Sequence, residues 1–417
     1  MIHQKWNRRK LIQSFISALG VGSLGMLQGA TSSASTTGER KFLFVFCEGG
    51  WDQCALFAPL WGINGIDMEA ESTLGQIGGI DFVDSAAKPS VREFLQRYGN
   101  ETCFVNGIEV RSVAHETATR LISTGTASTH SNDWASRIAA NAISQPLMPS
   151  VVMSGPSYAD DFTAYVARVG ANGQLGSLMD STNFTDPNVD ALEDSWLEQL
   201  HETYQEEIGR HEDIRSKAQR AESALQDIQD IRNRIDLQTE QIDGFTGRLT
   251  HDLDIAVKLL SEGICRCVSV KHFGWQNLGY DSHAFNSVQS RNFQEVFSSL
   301  LEMYAQINIH HPSLRENLTV VLLSEMGRFP TLNMLQGKTH WMHTSCVLIG
   351  SGIRGNQVVG AYTDEATSSP IDLQTGEVTS SGTYLLPSNI GTTLFQLADT
   401  PIPPELASYK PIEAVIE

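Results

Sequence analysis

The chain has 417 residues, 41% of them hydrophobic, enough to bury a large core as one big α/β domain with an insertion or as two domains. A formal net charge of −19 argues against a nucleic-acid backbone as partner, because phosphate binding draws on clustered Lys and Arg. Acidity of this kind serves solubility.

At the N-terminus, Asn7-Arg8-Arg9-Lys10 precedes an apolar, Gly-rich run from Phe15 to Leu27 and then the small residues Ala30 to Ala34. Charged region, apolar region and small-residue cleavage site make a secretory signal over residues 1–34, and the adjacent arginines with modest hydrophobicity resemble a twin-arginine signal. The apolar run is about 13 residues, short of the ~20 that a spanning helix needs, so no stable membrane span is expected. The expected location is periplasmic or secreted, reached through the twin-arginine export machinery.

Residues 41–46, KFLFVF, predict a strand that stops at Cys47-Glu48-Gly49-Gly50-Trp51-Asp52, where two glycines permit a sharp turn between acidic residues. A helix over Val91–Tyr98 and a short strand over Thr102–Val105 follow. His115 to Gly125 predicts a helix with His115 on its first turn and Gly125 beyond its end. Val151–Met153 is a further strand.

Residues 190–243 differ in character: rich in Glu, Gln, Arg and Asp, with Ile214, Ala221, Ile228 and Ile235 spaced seven apart. This seam predicts a long helix or helical hairpin inserted in the α/β body, offering a surface for packing or for a protein partner. The α/β pattern then resumes with a helix over Leu249–Ser261, a strand over Cys265–Val270, the segment Asp281-Ser282-His283, and a helix over Phe293–Ile307. Two β-branched-rich runs, Thr319–Leu323 and Cys346–Ile349, predict buried strands bracketing Ser324-Glu325-Met326-Gly327-Arg328 and His340-Trp341-Met342-His343. A last helix is expected near Ile390–Leu397. Alternating strands and helices over residues 40–417 imply a mostly parallel sheet with helices on both faces. The six cysteines show no zinc-site spacing and several sit in apolar runs, which suits buried thiols.

Polar groups able to bind metal or anion recur where strands end: Glu48 and Asp52, His115, Asp281 and His283, Glu325 and Arg328, His340 and His343. In open α/β sheets chemistry collects beyond the carboxyl ends of strands. Carboxylates with imidazoles suit one divalent ion or two, of zinc, manganese, iron or calcium, an arrangement common in phosphate- and sulfate-ester hydrolysis.

The blocks Glu48-Gly-Gly-Trp-Asp52, Asp281-Ser-His283, Ser324-Glu-Met-Gly-Arg328 and Gly337-Lys-Thr-His340-Trp341, followed by VLIGSGIRG, resemble the exported proteins catalogued as domain of unknown function 1501. That family carries GG-x-D, DTH, SEFGR and GxDHW motifs in this order and is grouped with the alkaline phosphatase and sulfatase superfamily. The resemblance implies an alkaline-phosphatase-like fold with two metals. Carried over by position, Glu48 falls at the first-strand ligand, Asp281 and His283 at an Asp and His pair, Glu325 at a further acidic ligand and His340 at the last metal His. Met326 stands where a ligand His is expected and Thr339 where this family has Asp. His115 stands where phosphatases carry a nucleophilic Ser or Thr, with Thr117 the nearest hydroxyl. On this reading Arg328, with Arg120, would hold a small anionic ester. The alternative is a non-catalytic exported protein with a degenerate site, acting in cell-surface assembly through the helical segment.

Overall fold

The computed structural model of the chain describes residues 38–144, 146–169 and 248–417. The expected signal, 1–34, and the expected helical insertion, 190–243, lie outside these residues.

Lys41–Cys47 (β1) is apolar at nearly every position and is buried from Phe42 onward. A strand covered on one face alternates; one covered on both reads as a continuous hydrophobic run. That is the signature of a central strand, and β1 pairs in parallel with both Cys267–His272 (β7) and Leu318–Leu323 (β8). Before it in chain order come no other described strands; after it, Thr73–Ile77 (β2) and Ile80–Asp84 (β3) form a separate antiparallel pair. Thr102–Glu109 (β4), Ser150–Val152 (β5) and Val166–Arg168 (β6) join the main sheet. Gly327–Arg328 (β9) and His340–Trp341 (β10) make a short antiparallel pair beside it. His343–Gly350 (β11) and Gln357–Val359 (β12) complete an eight-stranded sheet of order β12-β4-β11-β8-β1-β7-β5-β6.

One strand departs from the parallel rule. β11 runs antiparallel to both β8 and β4. The apolar run around Cys346–Ile349 therefore does not point its carboxyl end at the site. Its amino end does: His343 is its first residue, His340 lies just before it in β10, and Gly350 lies at the far rim.

Helices cover both faces. Phe42, Phe44 and Phe46 of β1 pack in one core with Ala118 and Ile122 of His115–Thr124 (α2), Trp134 and Ile138 of Trp134–Ala140 (α3), and Ile390 and Leu394 of Pro387–Leu397 (α7). On the other side, Pro89–Tyr98 (α1), Arg248–Ser261 (α4) and Val288–His310 (α5) pack together, with the short Pro312–Arg315 (α6) following. Phe94 meets Phe297 edge-on at 5.3 Å between ring centroids, and Trp51, Phe57 and Phe104 continue that aromatic layer. α2 stops because Gly125 takes a left-handed φ of 75° and its N–H bonds back to the Leu121 carbonyl at 2.8 Å. All six cysteines are free and buried. No described helix is long and apolar enough to cross a membrane.

Candidate metal centre

β1, β4, β7 and β8 all run the same way, and four loops leave their carboxyl ends. β4 leads to α2, whose first residue is His115; β7 leads to Asp281 and His283; β8 leads directly to Ser324 and Glu325. The turn after β1 packs beneath them. Gly49 has φ 116°, and a Cβ there would stand 2.5 Å from the Asp281 nitrogen, so only glycine lets the two loops touch.

Ser324 and Glu325 are fully buried. Ser324 Oγ donates to the Cys47 carbonyl at 2.7 Å and accepts from the Trp51 N–H at 3.1 Å. Glu325 accepts from the Gly49 N–H at 2.8 Å and from His115 Nδ1 at 2.8 Å. A carboxylate on Nδ1 fixes the imidazole tautomer, leaving Nε2 as the outward nitrogen. That nitrogen is buried and makes no hydrogen bond among the described residues, lying 3.5 Å from Asp281 Oδ2. His340 is set the same way: Nδ1 donates to the Val113 carbonyl at 2.7 Å, and Nε2 turns to Asp281 Oδ1 at 3.3 Å. His283 Nε2 lies 2.9 Å from His340 Nε2 and 3.1 Å from Asp281 Oδ1.

Three imidazoles and one carboxylate thus converge. Single donor atoms of His115, Asp281 and His340 all lie within 4.8 Å of one another. The charges of the cluster stabilise one another. Asp281 and then Glu325 raise the His115 pKa to about 9. Burial alone would raise the Asp281 pKa, but the neighbouring His115 imidazole and the hydrogen bond from Arg328 outweigh it and hold the carboxyl well below the usual range. Desolvation lowers the pKa of His283. An orphaned imidazole nitrogen, two tautomers fixed from behind and a mixed nitrogen and oxygen donor set fit one divalent ion.

Several expected site residues stand elsewhere. Arg328 is fully buried: Nη1 and Nε donate to the carbonyls of Lys338 and Gly50, and Nη2 to Gly49 and to Asp281 Oδ1, the last at 2.6 Å. It braces Asp281 and has no free edge for an ester. Asp52 caps the turn after β1 through the Cys54 N–H at 3.0 Å and pairs with buried Lys338 at 2.8 Å, so it is a structural acid. Glu48 points to Lys271 at 2.8 Å, and 55% of its side chain is exposed. His343 accepts from Ser368 Oγ at 2.7 Å inside the fold. Thr117 is exposed and, two residues along a helix, sits about 200° around from His115. Arg120 stacks on Tyr158, its guanidinium carbon 4.4 Å from the ring centroid. Met326 is fully buried in the core against the sheet. With Glu48, Asp52 and His343 engaged otherwise, the described residues gather one cluster that could hold a metal ion.

Sequence reasoning missed the supporting groups. Val113, Ser324 and Lys338 act through a carbonyl, a buried hydroxyl and a buried ammonium. Ser324, adjoining Glu325 in the SEMGR block, and Lys338, inside the GKTHW block, carried a signal; Val113, acting through its carbonyl, carried none.

The sequence pattern of the DUF1501 family, described as a protein of unknown function, matches residues 39–376. The chain belongs to the DUF1501 family. No match is found among curated proteins. Solved structures similar to this DUF1501 chain include the lipoteichoic acid synthase LtaP from Listeria monocytogenes, at 8% identity and TM-score 0.40, covering 97% of this chain and 82% of that one. A protein in the alkaline phosphatase superfamily from Vibrio parahaemolyticus is similar at 10% identity and TM-score 0.36, covering 95% and 76%. The PsFucS1 sulfatase from Pseudoalteromonas sp. is similar at 7% identity and TM-score 0.36, covering 87% and 68%.

Proposed function

We propose that this protein is an exported, metal-dependent hydrolase of phosphate or sulfate esters, with His115, Asp281, His283 and His340 as ligands of one divalent ion. The observation that carries the reading is His115: its Nδ1 is held by buried Glu325, and its Nε2 is buried, unbonded and aimed at Asp281 and His340. His272 also has a buried Nε2 without a hydrogen bond, 3.5 Å from Glu295, so what sets His115 apart is that donor atoms of Asp281 and His340 converge on the same point. Zinc suits the donor set best, with manganese or iron next.

A bound divalent ion supplies Lewis-acid charge at an ester oxygen and makes water available as a nucleophile near neutral pH. The chain's own residues supply the rest. Glu325 holds the His115 proton at Nδ1, Val113 holds that of His340, and Arg328 fixes Asp281 from behind. The hydroxyl on the first turn of α2, Thr117, lies about 200° around the helix from His115, so a covalent serine or threonine intermediate has no place in this scheme. Twin-arginine export, and a protein partner for residues 190–243, complete the proposal.

The test is turnover of aryl phosphates and aryl sulfates by protein supplied with Zn2+ or Mn2+. Hydrolysis in wild type, lost in His340→Ala and Asp281→Asn, supports the reading. Metal binding without turnover on either ester class favours the second reading, a non-catalytic exported protein, to which the buried Met326 and the averted Thr117 hydroxyl both lend weight.

A further inference from the structure

The loop that carries His283 also carries a bare aromatic ring. Phe285, two residues on, is 74% exposed. Its φ is 55°, the left-handed region, where a bulky side chain is a true outlier. Opposite it stands the loop before β10, bound to it by the Phe285 N–H to the Leu335 carbonyl at 3.2 Å and the Asn286 N–H to the Gln336 carbonyl at 2.7 Å. Asn333 Nδ2 donates to the His283 carbonyl at 2.9 Å, and a Cβ on Gly337 would stand 2.1 Å from that carbonyl carbon. This second loop presents Met334, fully exposed at 100%, and Leu335, 65% exposed. Three large apolar side chains therefore share the paired loops that hold His283, and nothing among the described residues covers them.

Most of each of these three side chains lies outside the core. Glycine or asparagine would fit the backbone of Phe285 with less strain, and a polar residue would remove an exposed apolar surface. Exposed aromatic and Met side chains on the loops that carry His283 suit an apolar ligand group, the ring as a flat platform and Met as an adaptable contact.

We propose that Phe285, Met334 and Leu335 form the subsite for the alcohol portion of the ester, and that this portion is apolar: the substrate is an amphiphile, a phosphate or sulfate monoester of an alkyl or aryl alcohol. The inference rests on the ester-hydrolase reading for its anionic end, and its apolar end is tested separately by binding. Octyl phosphate, methyl phosphate and inorganic phosphate are titrated calorimetrically into the protein as purified. Octyl phosphate should bind at least roughly tenfold more tightly than methyl phosphate, as expected for partial burial of one alkyl chain. Phe285→Gly and Met334→Ser should erase that preference while leaving methyl phosphate affinity unchanged, and Phe285→Gly should melt no lower than wild type because it relieves backbone strain. Equal affinity for octyl and methyl phosphate, or a preference that survives both substitutions, overturns the proposal. If inorganic and methyl phosphate fail to bind but octyl phosphate binds in a Phe285-dependent way, the apolar subsite stands and the ester-hydrolase reading falls. Binding to neutral phosphatidylcholine vesicles without any octyl preference overturns it in favour of a membrane contact.

Discussion

His115 is where the account is most exposed to test. Its Nδ1 bond to Glu325 is a part-buried, charge-assisted contact, and the carboxylate also holds the Gly49 N–H. Glu325→Ala should weaken zinc binding by about 10–100-fold, the usual effect of removing a carboxylate behind a ligand histidine. Competition against a chromophoric chelator measures this, and unchanged affinity would remove Glu325 from the orienting role. In the metal-free protein the His115 pKa is raised to about 9 by Asp281 and Glu325. A histidine with a folded pKa above its unfolded value of about 6.5 contributes stability that is complete below the unfolded value and is lost as pH rises through the folded one. Denaturant midpoints of metal-free wild type should therefore fall between about pH 6.5 and 9 relative to His115→Ala. Parallel curves would show that His115 carries no such proton.

At the scale of elements, two features invite substitution. Gly337 sits where a Cβ would collide with the His283 backbone at 2.1 Å, so Gly337→Ala must push apart the loops that hold His283. Weaker zinc binding with an unchanged far-UV spectrum is the expected outcome; wild-type affinity would show that the loop pairing does not position His283. In α4, Asp252 is 1% exposed and neither carboxylate oxygen has a hydrogen-bond partner among the described residues. Burial raises its pKa to about 7, only partly offset by Arg248. A buried acid with a raised folded pKa leaves stability unaffected below its unfolded pKa, and its cost grows as pH climbs to the folded value and is complete above it. Asp252→Asn should thus stabilise the protein above about pH 7, by something on the order of 2–4 kcal/mol, and little below about pH 4. Equal melting temperatures for the two proteins at pH 8 would contradict this.

The elements themselves were largely legible because hydrophobic period reports burial directly. β1 and β8 are unbroken apolar runs and lie at the centre of the sheet; the helix from His115 to Gly125 begins and ends as its residues dictate. Direction was not legible, since the apolar run of β11 reads the same in either sense. Partners far apart in sequence were not legible either. Asp52 looks like a ligand until Lys338 is seen beside it, 286 positions away and fully buried. Arg328 looks like an anion clamp until its guanidinium is found spent on backbone carbonyls.

Across the whole molecule, the sheet brings residues from 115 to 340 to one rim, and it assembles one donor cluster among the described residues rather than two. The central claim is that this cluster holds a single metal ion. Elemental analysis of the protein purified without chelators and reloaded with excess zinc tests it most directly. The account predicts about one zinc per chain in wild type and under about a tenth in His115→Ala and His340→Ala, each still folded by circular dichroism. A wild-type protein that retains no metal, or histidine variants that retain as much as wild type, would contradict it.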